Sequence, residues 1–172
     1  MGTSGSIFIV VVFAITTGCV HTIVRWRGGQ PPTTPVTGPT FVLIVPGPAL
    51  PAVSSAFPAR LLALVREQDP KAELVYGNEE ISAASLALQR GARSLLVARV
   101  LRWRDAQTQY DGEPDEIGVD FRIMTLQPAR IVREFEFHAR GSRLAVWDAS
   151  PDRLLNDKFR DAVRQLLASA RP

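Results

Sequence analysis

The sequence predicts a single α/β (α+β) domain in which helices pack on a mixed sheet of about five strands. Short apolar runs alternate with helical stretches in the first half of the domain, an order typical of parallel strands joined by crossovers. Later in the chain, segments that alternate apolar and polar side chains are separated by turns, as in antiparallel hairpins. The expected order of elements is therefore β-α-β-α-β-β-β-α over residues 41–172.

The first predicted strand covers residues 41–45, an uninterrupted apolar run that indicates burial on both faces of the sheet. A helix over residues 60–67 follows, since its apolar side chains recur at i, i+3 and i+4, and Pro70 ends it. Residues 72–76 are predicted to form the second strand.

The second helix has a start and a stop in the sequence. Asn78 is a natural N-cap, and Gly91 is expected to close the helix. The apolar stripe expected to face the sheet consists of Ile81, Ala84, Ser85 and Leu88.

Three strands are predicted next, over residues 95–103, 117–124 and 131–139. The last of them places Phe135, Phe137 and Ala139 on one side and Glu134, Glu136 and His138 on the other. Residues 150–152, Ser-Pro-Asp, are expected to cap the final helix. Its buried stripe would be Leu155, Phe159, Val163, Leu166 and Leu167.

The N-terminus is typical of a bacterial lipoprotein signal. An apolar run over residues 7–15 is followed by Thr16, Thr17, Gly18 and then Cys19, the only cysteine of the chain. The run is shorter than the ~20 residues of a membrane-spanning helix. We therefore expect residues 1–18 to be removed and Cys19 to be lipidated. Two acyl chains on this residue would give stable membrane attachment. The alternatives are an uncleaved N-terminal anchor and a structural cysteine.

Residues 19–40 are rich in Gly, Pro and Thr and are predicted to form a flexible tether between the anchor and the domain. Within it, Trp26 lies between Arg25 and Arg27, so this tryptophan is either a membrane-interface residue or an incidental part of the tether. Val20 follows the cysteine in place of the aspartate typical of inner-membrane retention, which favours the periplasmic face of the outer membrane.

Composition narrows the classes of function. The chain of 172 residues is 46% hydrophobic and 22% charged, which is typical of a globular domain. Its net charge of +3 comes from arginines scattered among acidic residues, so no nucleic-acid partner is expected. With two histidines and one cysteine, no metal site or cofactor is predicted, and no nucleotide-binding or nucleophile-elbow motif is present. The expectation is a non-enzyme.

The densest polar and aromatic segment is residues 103–115. Its candidate partner-contact residues are Trp103, Asp105, Tyr110, Asp111 and Asp115. The alternatives are a plain hairpin connection, with the turn at Asp111 and Gly112, and a hydrolase site built from the carboxylates of residues 105–116. A glycosidase would need two carboxylates held ~5 to 10 Å apart.

Residues 101–117 and 149–155 resemble an uncharacterised family of bacterial lipoproteins, a domain of unknown function. The shared pattern is Trp-x-Asp-x-x-Thr-x-aromatic-x-Gly-x-Pro-Asp, then two strands, then the terminal helix after Pro151. More distantly, the order of elements and the lipid anchor resemble PelC-like and TolB N-terminal-like envelope lipoproteins. These resemblances imply a non-catalytic binding or assembly protein whose partner is an envelope protein or a polysaccharide. The PelC-like one also implies a homo-oligomeric ring under the outer membrane, as part of an export or secretion apparatus.

Overall fold

Six strands form one mixed sheet in the computed structural model, which describes residues 21–27, 40–45, 53, 56–77, 79–105, 114–141 and 151–168. The strands are β1 (His21–Trp26), β2 (Thr40–Val45), β3 (Glu73–Tyr76), β4 (Ser94–Arg104), β5 (Glu116–Leu126) and β6 (Ala129–Arg140). The helices are α1 (Ala56–Arg66), α2 (Glu80–Gln89) and α3 (Asp157–Leu167), with a 3-10 turn at Pro151–Leu154. The predicted fold class is confirmed.

The sheet has the order β1-β6-β5-β4-β2-β3, with a parallel and an antiparallel part. β2 pairs in parallel with both β3 and β4, so that Val42 lies opposite Leu74 on one side and Leu96 on the other. β4, β5, β6 and β1 pair antiparallel. The parallel strands are joined through helices, as crossover connections require.

The strand β1 lies within the segment that the sequence predicted to be a flexible tether. Residues 21–26 were expected to belong to the flexible tether, yet they pair along the whole of β1 with β6, from His21 opposite Arg140 to Trp26 opposite Phe135. The physical reason is alternation, because Val24 and Trp26 turn the same way and pack against the main core. The Trp26 ring lies 5.0 Å from that of Phe135, centroid to centroid. Of the other tether residues, 19, 20 and 28–39 lie outside the described residues, and Thr40 is the first residue of β2.

The main core lies between the sheet and the helices α1 and α3. Its largest fully buried side chains are aromatic: Phe57, Phe121, Phe135, Phe137 and Phe159. Phe121 and Phe135 stack with centroids 4.8 Å apart, and the Phe159 ring packs edge-on to Phe137 at 5.2 Å. These contacts fix one face of the antiparallel part as its apolar face.

α2 covers the opposite face of the parallel part, and the stripe expected to bind it to the sheet was wrong except at Ala84, which is partly buried against that face. Ala83 and Ala87 are the buried residues of α2, whereas Ile81 is 83% exposed and Leu88 is 37% exposed. The small alanine side chains allow the helix to lie close to β2 and β4. The predicted end at Gly91 is confirmed, with φ of +76° and bonds from the Gly91 and Ala92 amides to Leu88 and Ala87. Asn78 lies outside the described residues.

α3 begins later than the sequence predicts. Pro151–Leu154 forms the 3-10 turn, and the α-helix starts at Asp157. Its N-cap is Asn156, whose side chain accepts a hydrogen bond from the Phe159 amide at 3.3 Å. The expected cap at residues 150–152 is therefore corrected to Asn156, because Pro151–Leu154 forms a separate turn before the α-helix. Ser150 lies outside the described residues. All five residues of that stripe are buried as predicted.

Candidate assembly surface

The antiparallel strands present charged side chains on the face opposite α1 and α3. Along β5 and β6, the apolar side chains turn toward the main core, so their alternate neighbours point the other way. We call this surface the charged face. It comprises Arg25, Arg27, Arg99, Arg102, Arg104, Glu116, Asp120, Arg122, Glu134, Glu136, His138 and Arg140.

Strand register sets charges of both signs side by side on the charged face. In one cross-strand row, Asp120 of β5 lies between Arg99 of β4 and Glu136 of β6, and Arg25 of β1 lies beyond Glu136. The sign order across four strands is therefore plus, minus, minus, plus. Like charges directly opposite each other are unfavourable unless neighbouring cations offset them.

Two arginines flank the Asp120 carboxylate, each at 3.6 Å: Arg27 at Oδ1 and Arg122 at Oδ2. Arg27 also donates a hydrogen bond to Glu134. The Asp120 side chain is only 6% exposed. Burial raises its pKa, because the charged form loses water, and the nearby Arg27 offsets this only in part.

α2 joins this cluster through Glu80. One carboxylate oxygen accepts a hydrogen bond from Arg99 Nη2 at 2.9 Å, and the other lies 3.5 Å from Arg122 Nη1. The first turn of α2 is thereby tied to β4 and β5. The network thus extends from the parallel part of the sheet to β1.

A second cluster is centred on Glu116 and joins three strands. Its Oε1 atom lies 2.8 Å from Arg102 Nη1 of β4 and 2.7 Å from His138 Nε2 of β6. Burial alone would raise the pKa of Glu116, but the hydrogen bonds from His138 and Arg102 outweigh it, so the pKa lies below its usual value. Gly118 makes room for this contact, since a Cβ there would lie 3.3 Å from the Arg102 Cβ and 3.9 Å from His138 Cδ2. We call Arg102, Glu116 and His138 the carboxylate clamp.

The outer layer of the charged face consists of arginines that remain accessible. The side chains of Arg27, Arg99 and Arg102 are 54%, 43% and 58% exposed. Beneath them, Asp120 Oδ1 and Arg122 Nε make no hydrogen bond within the described part of the chain. The surface therefore presents guanidinium donors outward above buried carboxylates. Such donors suit carboxylate, phosphate and carbonyl oxygens of another molecule.

The residues predicted from the sequence fall in different places. Trp103 is 6% exposed and packs edge-on against Phe57 with centroids 5.7 Å apart, so its expected role in a contact surface is corrected to a core role. Asp105 is exposed, and Asp115 is half-buried, with its carbonyl accepting a bond from the Gly141 amide at 2.9 Å. Cys19, Tyr110 and Asp111 lie outside the described residues.

In the described ranges of the chain, no three His, Cys, Asp or Glu side chains are grouped so as to hold a metal ion. Within the same ranges, no helix has the length and apolar character needed to cross a membrane. The charged face was missed at the sequence level, although the polar residues at 134, 136 and 138 were its visible signal.

No protein-family model matches the chain, and no curated protein matches it. Among solved structures, it is similar to a PelC dodecamer from Paraburkholderia phytofirmans, with a TM-score of 0.59 and 15% identity over 87% of this chain and 96% of that chain. A second PelC dodecamer structure from the same organism gives a TM-score of 0.57 at 15% identity, covering 88% and 99%. Lipoprotein GNA1162 from Neisseria meningitidis gives 0.43 at 7% identity, covering 73% and 91%. The expected PelC-like architecture is confirmed: the chain has the same fold as PelC.

Proposed function

We propose that this chain is a lipid-anchored, non-catalytic assembly protein of the bacterial envelope, held by Cys19 at the periplasmic face of the outer membrane. The observation that carries the proposal is the likeness in fold to PelC, which extends over 96% of that protein's chain. The signal pattern before Cys19 supports the same assignment independently, because it rests on the sequence alone. Likeness in fold is an analogy for function, so the lipid anchor and the assembly role each have their own experiment.

The anchor is tested on the mature N-terminus. Mass spectrometry of the protein purified from membranes should find residue 19 as the first residue, carrying a diacylglyceryl group on its sulfur. The variant Cys19→Ser should move from the membrane fraction to the soluble fraction. An unmodified thiol on a chain that begins at Met1 would overturn the anchor. Crosslinking in intact cells, with the same sample, identifies the neighbouring envelope partner.

A second candidate function is that of a ring-forming subunit, because both similar PelC structures are dodecamers. In a closed ring, one surface of each copy meets a different surface of the next. The charged face supplies one of these two surfaces in our proposal. Its exposed guanidinium groups, on Arg27 and Arg99 among others, would form charge-assisted hydrogen bonds with the neighbouring copy.

Oligomerisation is tested on the mature chain carrying Cys19→Ser, which removes the lipid and keeps β1. Sedimentation velocity and native mass spectrometry should find a single high-order oligomer. Arg25→Glu changes an exposed arginine of the charged face and should weaken the oligomer. Arg130→Glu changes an exposed arginine outside this face and should leave it intact. A monomer at all concentrations, or equal effects of the two variants, would overturn the ring.

In the described part of residues 105–116, the electrostatics of the buried carboxylate do not favour the hydrolase hypothesis. A glycosidase acid needs a raised pKa so that it holds a proton at neutral pH. Glu116 is the buried carboxylate of the described part of this segment, and its pKa is lowered. We therefore propose that the carboxylates of this segment are structural. Loss of a hydrolytic activity in single Asp→Asn variants at 105, 111 and 115, or in Glu116→Gln, would contradict this.

A further inference from the structure

β1 begins only two positions after the expected lipid attachment site. Cys19 is separated from His21 by a single residue, and each residue spans at most about 3.6 Å, so their Cα atoms lie within about 7 Å of each other. All six residues of β1 pair with β6, and the Val24 and Trp26 side chains pack against the core. If Cys19 is lipidated as proposed above, the anchor is therefore attached almost directly to the sheet.

The register of the sheet identifies which part of the domain this anchor holds. His21 lies opposite Arg140 of β6, Arg140 opposite Glu116 of β5, and Glu116 opposite Arg104 of β4. We call this row the anchored end. The carboxylate clamp is at the same end, since Glu116 is one of its members.

We propose that the anchored end rests on the lipid headgroups and that the strands of the antiparallel part rise from the membrane surface. The inference rests on the proposed lipidation of Cys19. The occupant of this surface is the headgroup layer of the bilayer. Arg104 and Arg140 belong to the row itself, and the 58% exposed side chain of Arg102 is close by. Guanidinium groups at this position suit the phosphates of phospholipids.

Two residues that flank the strands also lie at the anchored end. Asp105 directly follows the end of β4, and Pro114 precedes the start of β5 by two residues.

The end of β6 opposite the anchored end is far enough away to serve as a reference position. Arg130 and Arg140 are ten residues apart on β6, which corresponds to about 33 Å at ~3.3 Å per residue. That separation is as large as the hydrocarbon core of a bilayer, ~30 Å. A label at one end is therefore distinguishable from a label at the other by any probe confined to the headgroups.

The test uses the lipidated full-length protein in vesicles of phosphatidylcholine and phosphatidylglycerol that contain a headgroup spin-labelled lipid. Because Cys19 is the only cysteine and its thiol is acylated, Arg140→Cys and Arg130→Cys each provide one site for a fluorophore. We expect the fluorophore at 140 to be quenched several-fold more strongly than that at 130. Equal quenching at the two sites, or stronger quenching at 130, would overturn the orientation.

Arg140 is half-buried, so its replacement could disturb the fold. A second pair of labelling sites controls for this. Asp105→Cys at the anchored end and Ile131→Cys at the far end both replace exposed residues and should reproduce the difference. Insertion of about twenty Gly/Ser residues between Val20 and His21 adds a reach of a few tens of ångströms and should remove it. Vesicle-bound protein with equal quenching refutes the orientation and leaves the anchor intact. Protein that lacks the lipid mass and stays off the vesicles refutes both.

Discussion

His138 Nε2 lies 2.7 Å from Glu116 Oε1, across two neighbouring antiparallel strands. The same oxygen accepts a hydrogen bond from Arg102 on the third strand. Asp120, four positions along β5, is a second buried carboxylate of the same face, with arginines at the longer distance of 3.6 Å. The direct bonds lower the pKa of Glu116, whereas burial raises that of Asp120. Two acids on one strand are therefore expected to affect stability in opposite senses.

Glu116→Gln should destabilise the protein at neutral pH and flatten its acid denaturation. The folded pKa of Glu116 is below the usual 4.5, so its ionised form stabilises the fold above pH 4.5, and this contribution is lost as pH falls through the lowered value. We expect the variant to lose about 1.5 to 3 kcal/mol at neutral pH, the scale of hydrogen bonds to a charged group. Urea unfolding from about pH 7 down to about pH 3 measures both effects. If the free energy of unfolding of the variant fell as steeply at acid pH as that of the unchanged protein, the role of the carboxylate clamp would be contradicted.

Asp120→Asn is the matched comparison and should have the opposite sign. Its folded pKa is above the usual 3.8, so the ionised form costs stability at neutral pH, and this cost is absent below pH 3.8. We expect the free energy of unfolding at neutral pH to stay equal or rise by about 1 kcal/mol, as when buried charges are replaced by neutral groups. The same urea series measures it. A clear loss of stability would show that Arg27 and Arg122 offset burial completely.

Gly118→Val should disrupt the carboxylate clamp through sterics alone. A Cβ at 118 lies 3.3 Å from the Arg102 Cβ, and the additional methyl groups of valine require Arg102 or His138 to move. The expected loss is about 1 to 3 kcal/mol, typical of overpacking. Gly77→Ala is the control, because its nearest neighbour, Leu43 Cδ1, is at an ordinary 3.7 Å. Chemical denaturation of both variants should separate them, and similar values would contradict the close fit at 118.

Sequence patterns predicted the sheet and its apolar face because those depend on periodicity within each strand. The alternation of Phe135 and Phe137 with Glu134 and Glu136 is sufficient to divide β6 into two faces. The clamp was not predictable in this way, since it depends on which residues of three separate strands share a register.

Two local patterns also misled the prediction, for different physical reasons. In α2, two alanines face the sheet in place of the larger Ile81 and Leu88, because close approach of the helix replaced burial of bulky groups. In β1, the Gly- and Pro-rich residues that follow hid a short alternating strand within a segment of tether composition. Pairing with β6, a tertiary interaction, orders that segment.

Trp103→Ala should destabilise the fold, whereas Asp105→Ala should not. The Trp103 indole is buried against Phe57, so its truncation leaves a cavity and should cost about 3 to 5 kcal/mol. Asp105 is exposed, and we expect its replacement to change stability by at most about 0.5 kcal/mol. Thermal unfolding followed by circular dichroism measures both. Equal melting temperatures for the two variants would contradict the core role of Trp103.

Arg133→Met should loosen α3, because this arginine is 3% exposed and bonds to the end of that helix. Its Nη1 atom donates to the Leu166 carbonyl at 2.7 Å and also to that of Ala168, in the last turn, where a cation is favoured by the helix dipole. Burial lowers the pKa of Arg133, yet a guanidinium stays protonated at neutral pH. Methionine fills similar space without donors, so we expect a loss of about 1.5 to 3 kcal/mol. Amide hydrogen exchange should accelerate in α3 in this variant and remain unchanged in Arg130→Met, whose arginine is exposed on the same strand. Equal exchange rates in the two variants would mean that α3 is held by its apolar stripe alone.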